Sequence, residues 1–173
     1  IDAKANKENF PKSDNLQMIK TVGIPLKNIL LRQANPNNIQ HNKFMVFLKG
    51  KDPAAVWTGS TNVSEGGIFG QTNVGHWVRN KKTAAQFLQY WDILAQDPGG
   101  QATDTRSEKI AKNQAFKQKV VALQGDIETG AIQQVPQGIT PIFSPRTSLT
   151  MLNTYDALLD DAKSCAAITL AFG

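Results

Sequence analysis

The chain has 173 residues, a formal net charge of +5, 40% hydrophobic residues, one cysteine and two histidines. That is enough apolar chain to bury one sizeable core, which excludes a disordered tail. A single cysteine excludes an internal disulfide, and so small a set of cysteine and histidine excludes a zinc centre.

The opening IDAKANKENF has no charged segment followed by an apolar one, so no signal peptide is expected. Ile1 to Lys4 reads as the tail of a strand already under way. Residues 15–22 predict a short helix, broken at Gly23-Ile24-Pro25. Ile29-Leu30-Leu31 reads as a short strand and Ala34 to Asn38 as a turn. Lys43 to Leu48 (KFMVFL) and Ala54 to Thr58 (AAVWT) are β-prone runs joined by the polar turn Lys49 to Pro53, which predicts a hairpin. A third strand is expected at Val74 to Arg79.

A helix follows, with Ala84, Phe87, Leu88, Trp91, Leu94 and Ala95 on one face and a stop at Pro98-Gly99-Gly100. Thr105 and Glu108 form a capping box for a second helix, marked by Ile110, Phe116, Val120 and Leu123 and ended by Gly125. Residues 126–146 read as a linker. Ser148 to Lys163 predicts a third helix with Leu149, Leu152, Tyr155, Leu158, Leu159 and Ala162 on one side. Ala166 to Phe172 reads as a strand buried on both faces. Cys165, just before it, is expected to be a small buried hydrophobe. Trp57, Trp77 and Trp91 are expected in the core. No apolar run reaches the roughly 18–20 residues that cross a bilayer, so no transmembrane segment is expected. These features do not fix the compartment, and the cytoplasm is the favoured one. The order of elements gives an α/β class.

Charge is unevenly placed. Residues 1–120 hold 17 Lys and Arg against 9 Asp and Glu, whereas residues 121–173 hold 2 against 5. A basic body suits a phosphate-bearing partner, and it equally suits a solvated face.

The chemistry-bearing segment is His41-Asn42-Lys43, followed sixteen residues after Lys43 by Gly59-Ser60-Thr61-Asn62. His41 and Lys43 are two apart on one run, and Ser60 and Asn62 two apart at the end of its hairpin partner, so all four can meet at one edge of the sheet. An imidazole can attack phosphorus or protonate a leaving oxygen near neutral pH. An ammonium supplies charge to phosphate oxygens, and a hydroxyl with a carboxamide adds oriented donors. This set calls for no metal ion and no cofactor.

HNKFMVF…VWTGSTN resembles the HKD motif of the phospholipase D superfamily, a His-x-Lys run followed by an Asp and then Gly-Ser-x-Asn. GQTNVGHWV and the helix AAQFLQYWDIL resemble the strand and helix that follow the motif in the nuclease branch. There a Glu or Asn eleven residues past the motif Asn helps hold the site, and Asn73 stands at that position. The resemblance spans roughly residues 21–96. It implies a phospholipase D-like sandwich, a mixed β-sheet flanked by helices on both faces. It also implies a metal-independent phosphodiesterase that works through a phosphohistidine. His41 and Lys43 would be catalytic, and Ser60, Asn62 and Asn73 would bind phosphate.

Two departures stand out. Leu48 occupies the position of the motif Asp, and the gap to Gly59 is four residues longer than the pattern, with Asp52 in the turn as a displaced substitute. Only one motif is present. A second half-site would come from a homodimer partner or from sequence outside this chain, since His76 has no Lys two residues on. A helix and strand stand after the motif, an order permuted from the family's repeat. The expectation is therefore one phospholipase D-like domain over residues 1–173, an excerpt of a two-motif protein. Residues 1–125 would be part of the first repeat and 147–173 the start of the second. Nucleic acid is the favoured partner. A phospholipid headgroup, or a catalytically silent nucleic-acid-binding domain, are the other readings.

Overall fold

The computed structural model describes residues 12–36, 38, 40–123 and 137–168. Helix α1 (Lys12–Thr21) is followed by a short 3-10 turn at Leu26–Asn28. Strands β1 (Phe44–Lys49), β2 (Asp52–Gly59) and β3 (Gly75–Val78) form a three-stranded sheet in the order β1-β2-β3. Helices α2 (Lys81–Ala95), α3 (Arg106–Ala122) and α4 (Thr150–Asp160) complete the mixed α/β fold. Residues 29–31 form no strand. The strand expected at Ala166 to Phe172 is absent over 166–168, and its remainder lies outside the described residues. So do Ile1 to Lys4, Gly125 and most of the 126–146 linker.

Both strand pairings are antiparallel, so the described sheet is not mixed. The hairpin turn is tighter than the sequence suggests. Lys49 pairs with Asp52, leaving only Gly50 and Lys51 between the strands, with Gly50 at φ +65°. A positive φ is open to glycine without steric cost. Pro53 is tolerated inside β2 because β3 pairs only with Val56 to Gly59, so no neighbour on that side needs its missing N–H. The register slips between Phe47 and Leu48, where Pro53 rather than Ala54 faces Leu48.

One sheet face carries the core. Phe44, Val46, Val56 and Val78 point towards α2, and Val56, Phe87, Tyr90, Phe116, Val120 and Phe143 form the buried cluster. Its centre is aromatic. Phe87 and Phe143 meet edge-on at 4.9 Å, Tyr90 stacks on Phe143 at 4.6 Å, and Phe44 lies 5.3 Å from Phe87. The Tyr90 hydroxyl donates to the Ser144 carbonyl at 2.7 Å, tying the loop before α4 to the core. Burial raises the Tyr90 pKa against the opposing effects of Asn42 and Arg32.

The sequence placed the helix faces slightly wrong. On α2 the buried stripe is Thr83, Ala84, Phe87 and Tyr90, while Trp91 is exposed. Asn80 caps this helix by accepting from the Thr83 N–H at 2.9 Å. The Thr105 and Glu108 capping box of α3 is formed, and Phe116 and Val120, one turn apart, are its buried residues, but Ile110 points to solvent. On α4 the buried residues are Met151 and Thr154. The expected apolar face, Leu149, Leu152, Tyr155, Leu158 and Leu159, is exposed. Cys165 is also exposed rather than buried.

The second sheet face is open among the described residues. Met45, Phe47 and Trp77 alternate with the core-facing positions and are exposed, with Phe47 and Trp77 rings 4.5 Å apart. Trp77 and Trp91 therefore lie outside the core. Among the described residues, α2 is the helix that packs most closely on the sheet, with Phe116 and Val120 of α3 joining the same core cluster.

Candidate active site

The register decides where the motif residues fall. Phe44 pairs with Thr58, and the Gly59 N–H donates to the Lys43 carbonyl at 3.3 Å, so the ladder runs one residue past β1. Gly59 in turn pairs with Gly75 on β3. His41-Asn42-Lys43 enters the sheet at the end where Gly59-Ser60-Thr61-Asn62 leaves it and where Asn73 precedes β3. All five expected site residues thus gather at one end of the sheet. Asp52 starts β2 at the opposite end, seven residues from Gly59 and about 23 Å away along an extended strand. It cannot stand in for a motif carboxylate near Ser60. His76 lies opposite Thr58 on β3.

Gly59 is required by this crossing. A Cβ there would run into the Val74 carbonyl and lie 2.8 Å from the Gly75 Cα. Backbones at this end approach more closely than any side chain allows.

Ser60 and Asn73 are bound to each other. The Ser60 hydroxyl donates to Asn73 Oδ1 at 3.0 Å and accepts from the Val74 N–H at 3.1 Å. Asn73 Nδ2 donates to the Gly67 carbonyl at 3.0 Å. The Ser64 hydroxyl accepts from the Gly67 N–H at 3.2 Å, and the Ser64 N–H donates to the Asn62 carbonyl at 2.9 Å. Gly67 is buried against Asn62, with no room for a Cβ beside the Asn62 backbone. Asn62, Ser64, Gly67, Asn73 and Ser60 therefore form one hydrogen-bonded unit. Ser64 and Gly67 were not singled out in the sequence. Their signal was faint, a serine and a Gly-Gly pair just beyond the motif.

His41 and Lys43 form a second group. The Lys43 ammonium donates to the His41 carbonyl at 2.8 Å, and burial lowers the Lys43 pKa below its ordinary value. No hydrogen bond joins this pair to the Ser60 unit among the described residues. The His41 imidazole and the Asn62 carboxamide are exposed and have no hydrogen bond among the described residues, which leaves them open to a ligand there. Lys43 keeps two further N–H donors. The groups free to act here are thus one imidazole, one ammonium and one carboxamide, and Ser60 and Asn73 chiefly hold the frame.

The chain entering this end is anchored from outside the motif. Arg32 Nε donates to Asp97 Oδ1 at 2.7 Å, and the same carboxylate accepts the Gln33 and Ala34 N–H groups at 3.1 Å and Gln101 Nε2 at 3.2 Å. Burial alone would raise the Asp97 pKa, but these donors, Arg32 foremost, outweigh it and the pKa is lowered. Asn35 N–H donates to the Gly100 carbonyl at 2.7 Å, so residues 32–35 are sewn to the stretch after α2. Beyond this seam a hollow of about 300 Å³ opens against Gln40, Asn42, Phe44 and Trp91.

No group of three or more His, Cys, Asp or Glu converges as a metal-ligand set among the described residues. No helix among them is long and apolar enough to cross a membrane. Comparison with protein-family models, with curated proteins and with solved structures found no match.

Proposed function

We propose that the chain carries one half-site of a phospholipase D-like phosphodiesterase, acting on nucleic acid within a phospholipase D-like sandwich. The observation that supports this most is the hairpin register. It brings the pair His41 and Lys43 and the pair Ser60 and Asn62, nineteen residues apart in sequence, to one end of the sheet, with Asn73 hydrogen-bonded to Ser60. The basic body of the chain favours a polyanionic substrate.

In this reading an imidazole nitrogen of His41 attacks phosphorus and the bond to the leaving oxygen breaks. A second histidine, from another copy of the motif, gives that oxygen its proton. The same histidine then takes a proton from water, whose oxygen attacks phosphorus and breaks the P–N bond. Lys43 and Asn62 offset the charge that builds on the phosphoryl oxygens. Ser60 and Asn73, bonded to each other, hold the frame that carries Asn62.

The test is hydrolysis of bis(p-nitrophenyl) phosphate with EDTA present, followed over a range of protein concentrations. Expected are EDTA-resistant turnover, its loss in His41→Ala, and a rate rising faster than linearly with concentration where two copies supply the two histidines. Activity abolished by EDTA, or unchanged in His41→Ala, would overturn the proposal.

A further inference from the structure

The loop between Asn62 and Asn73 presents an apolar tip that the catalytic reading does not use. Phe69 is 86% exposed, Val63 76% and Ile68 57%. The tip is built on a single π-helical turn, Gly66–Gly70, a rare conformation that recurs at functional sites. It is not loosely placed. Gly67 at its base is packed on Asn62 and bonded to Asn73 and Ser64, and the Ile68 N–H donates to the Ser64 carbonyl at 3.0 Å. Phe69 is two residues from Gly67, at most about 7 Å of chain. The hydrogen bonds that fix Ser60 and Asn73 therefore also anchor the turn that carries an exposed aromatic residue two positions on.

We propose that this tip is a base-stacking platform. Phe69 stacks on a base of single-stranded nucleic acid whose neighbouring phosphate lies at His41, Lys43 and Asn62. The inference rests on the phosphate-site reading above and adds the substrate's strandedness. Base stacking needs one open planar ring near a phosphate-binding group and tolerates any sequence. A duplex keeps its bases stacked on one another, so the platform selects unpaired strands. A loop that inserts into a bilayer draws strength from cations flanking its apolar tip. Ser60 to Gly75 contains no Lys or Arg and one Glu, Glu65, at the start of the turn. The tip is thus made for the uncharged part of a ligand, and the charge is met at Lys43.

Fluorescence anisotropy on the full chain tests this with a labelled oligothymidylate, an abasic strand of equal length, and vesicles of phosphatidylcholine and phosphatidylserine. Expected are tighter binding of oligothymidylate than of the abasic strand, and a loss of roughly tenfold in Phe69→Ala, in line with one lost stack. Phe69→Trp retains the affinity. The ring is solvent-exposed, so neither change should alter the circular dichroism spectrum. Equal binding of the two strands, or equal affinity of wild type and Phe69→Ala, would overturn the platform while leaving the phosphate site standing. Binding of neither strand would overturn both readings. Vesicle binding that Phe69→Ala removes, with oligothymidylate binding unchanged, would overturn it in favour of a membrane tip.

Discussion

Replacing Asp97 with alanine should destabilise the protein more than alanine at the exposed motif residues His41 or Asn62. Its carboxylate gathers the Arg32 guanidinium, two backbone N–H groups and the Gln101 carboxamide. The Arg32 and Asp97 side chains are 10% and 23% exposed, so the pair is screened little by water. Breaking a fully buried ion pair costs about 3–5 kcal/mol, because the remaining charge is left without a partner. Water reaches part of this pair, which lowers the expected loss to about 2–4 kcal/mol. For a chain of this size that is a fall in Tm of roughly 4–16 °C. Asp97 also has φ +49°, a conformation that Asp and Asn tolerate better than Ala, which adds to the cost. Urea unfolding followed by tryptophan fluorescence measures the change. Asp97→Asn should lose less, since it keeps one acceptor and the backbone conformation. Arg32→Ala and Asp97→Ala should be strongly non-additive in the double variant. A loss under about 0.5 kcal/mol for Asp97→Ala would refute the reasoning, as would full additivity with Arg32→Ala.

The same carboxylate should make stability depend on pH. Its folded pKa is lowered, so its contribution is complete above the unfolded value of about 3.9 and disappears as pH falls through the lower folded value. Acid titration of wild type against Asp97→Asn should show this loss in wild type alone. Gly67→Ala should cost about 1–3 kcal/mol, because its Cβ meets the Asn62 backbone and the loop must shift; chemical-shift perturbation at Asn73 would report the movement, and an unchanged spectrum would count against it. Tyr90→Phe should cost about 1 kcal/mol in urea unfolding, for the lost bond to the Ser144 carbonyl.

Much of the candidate site was legible in the chain because its signal is local. The His41 and Lys43 spacing, the Gly59 to Asn62 run and the two β-prone segments between them fixed a hairpin, and a hairpin must return its ends to one place. Asn73 was found through the family resemblance, and the structure adds its bond to Ser60. The capping box at Thr105 and Glu108 was readable for the same reason, since its partners are three residues apart. Helix existence was readable from periodicity, but helix orientation was not. On α4 the apolar side lies in solvent, because burial depends on which neighbour arrives and not on the pattern alone.

The sequence by itself determined the hairpin, the capping box of α3, and the chemistry available at His41, Lys43, Ser60 and Asn62. Those follow from backbone sterics and from residues within a few positions of one another. Only the tertiary structure decided that Asp97 gathers residues 32–34, that Phe143 fills the aromatic core, that Asp52 stands far from Ser60, and that Ser60 and Asn73 are spent on each other. Each of these joins positions well separated along the chain, or depends on register. Contacts of that kind depend on how the elements pack, which no local pattern specifies.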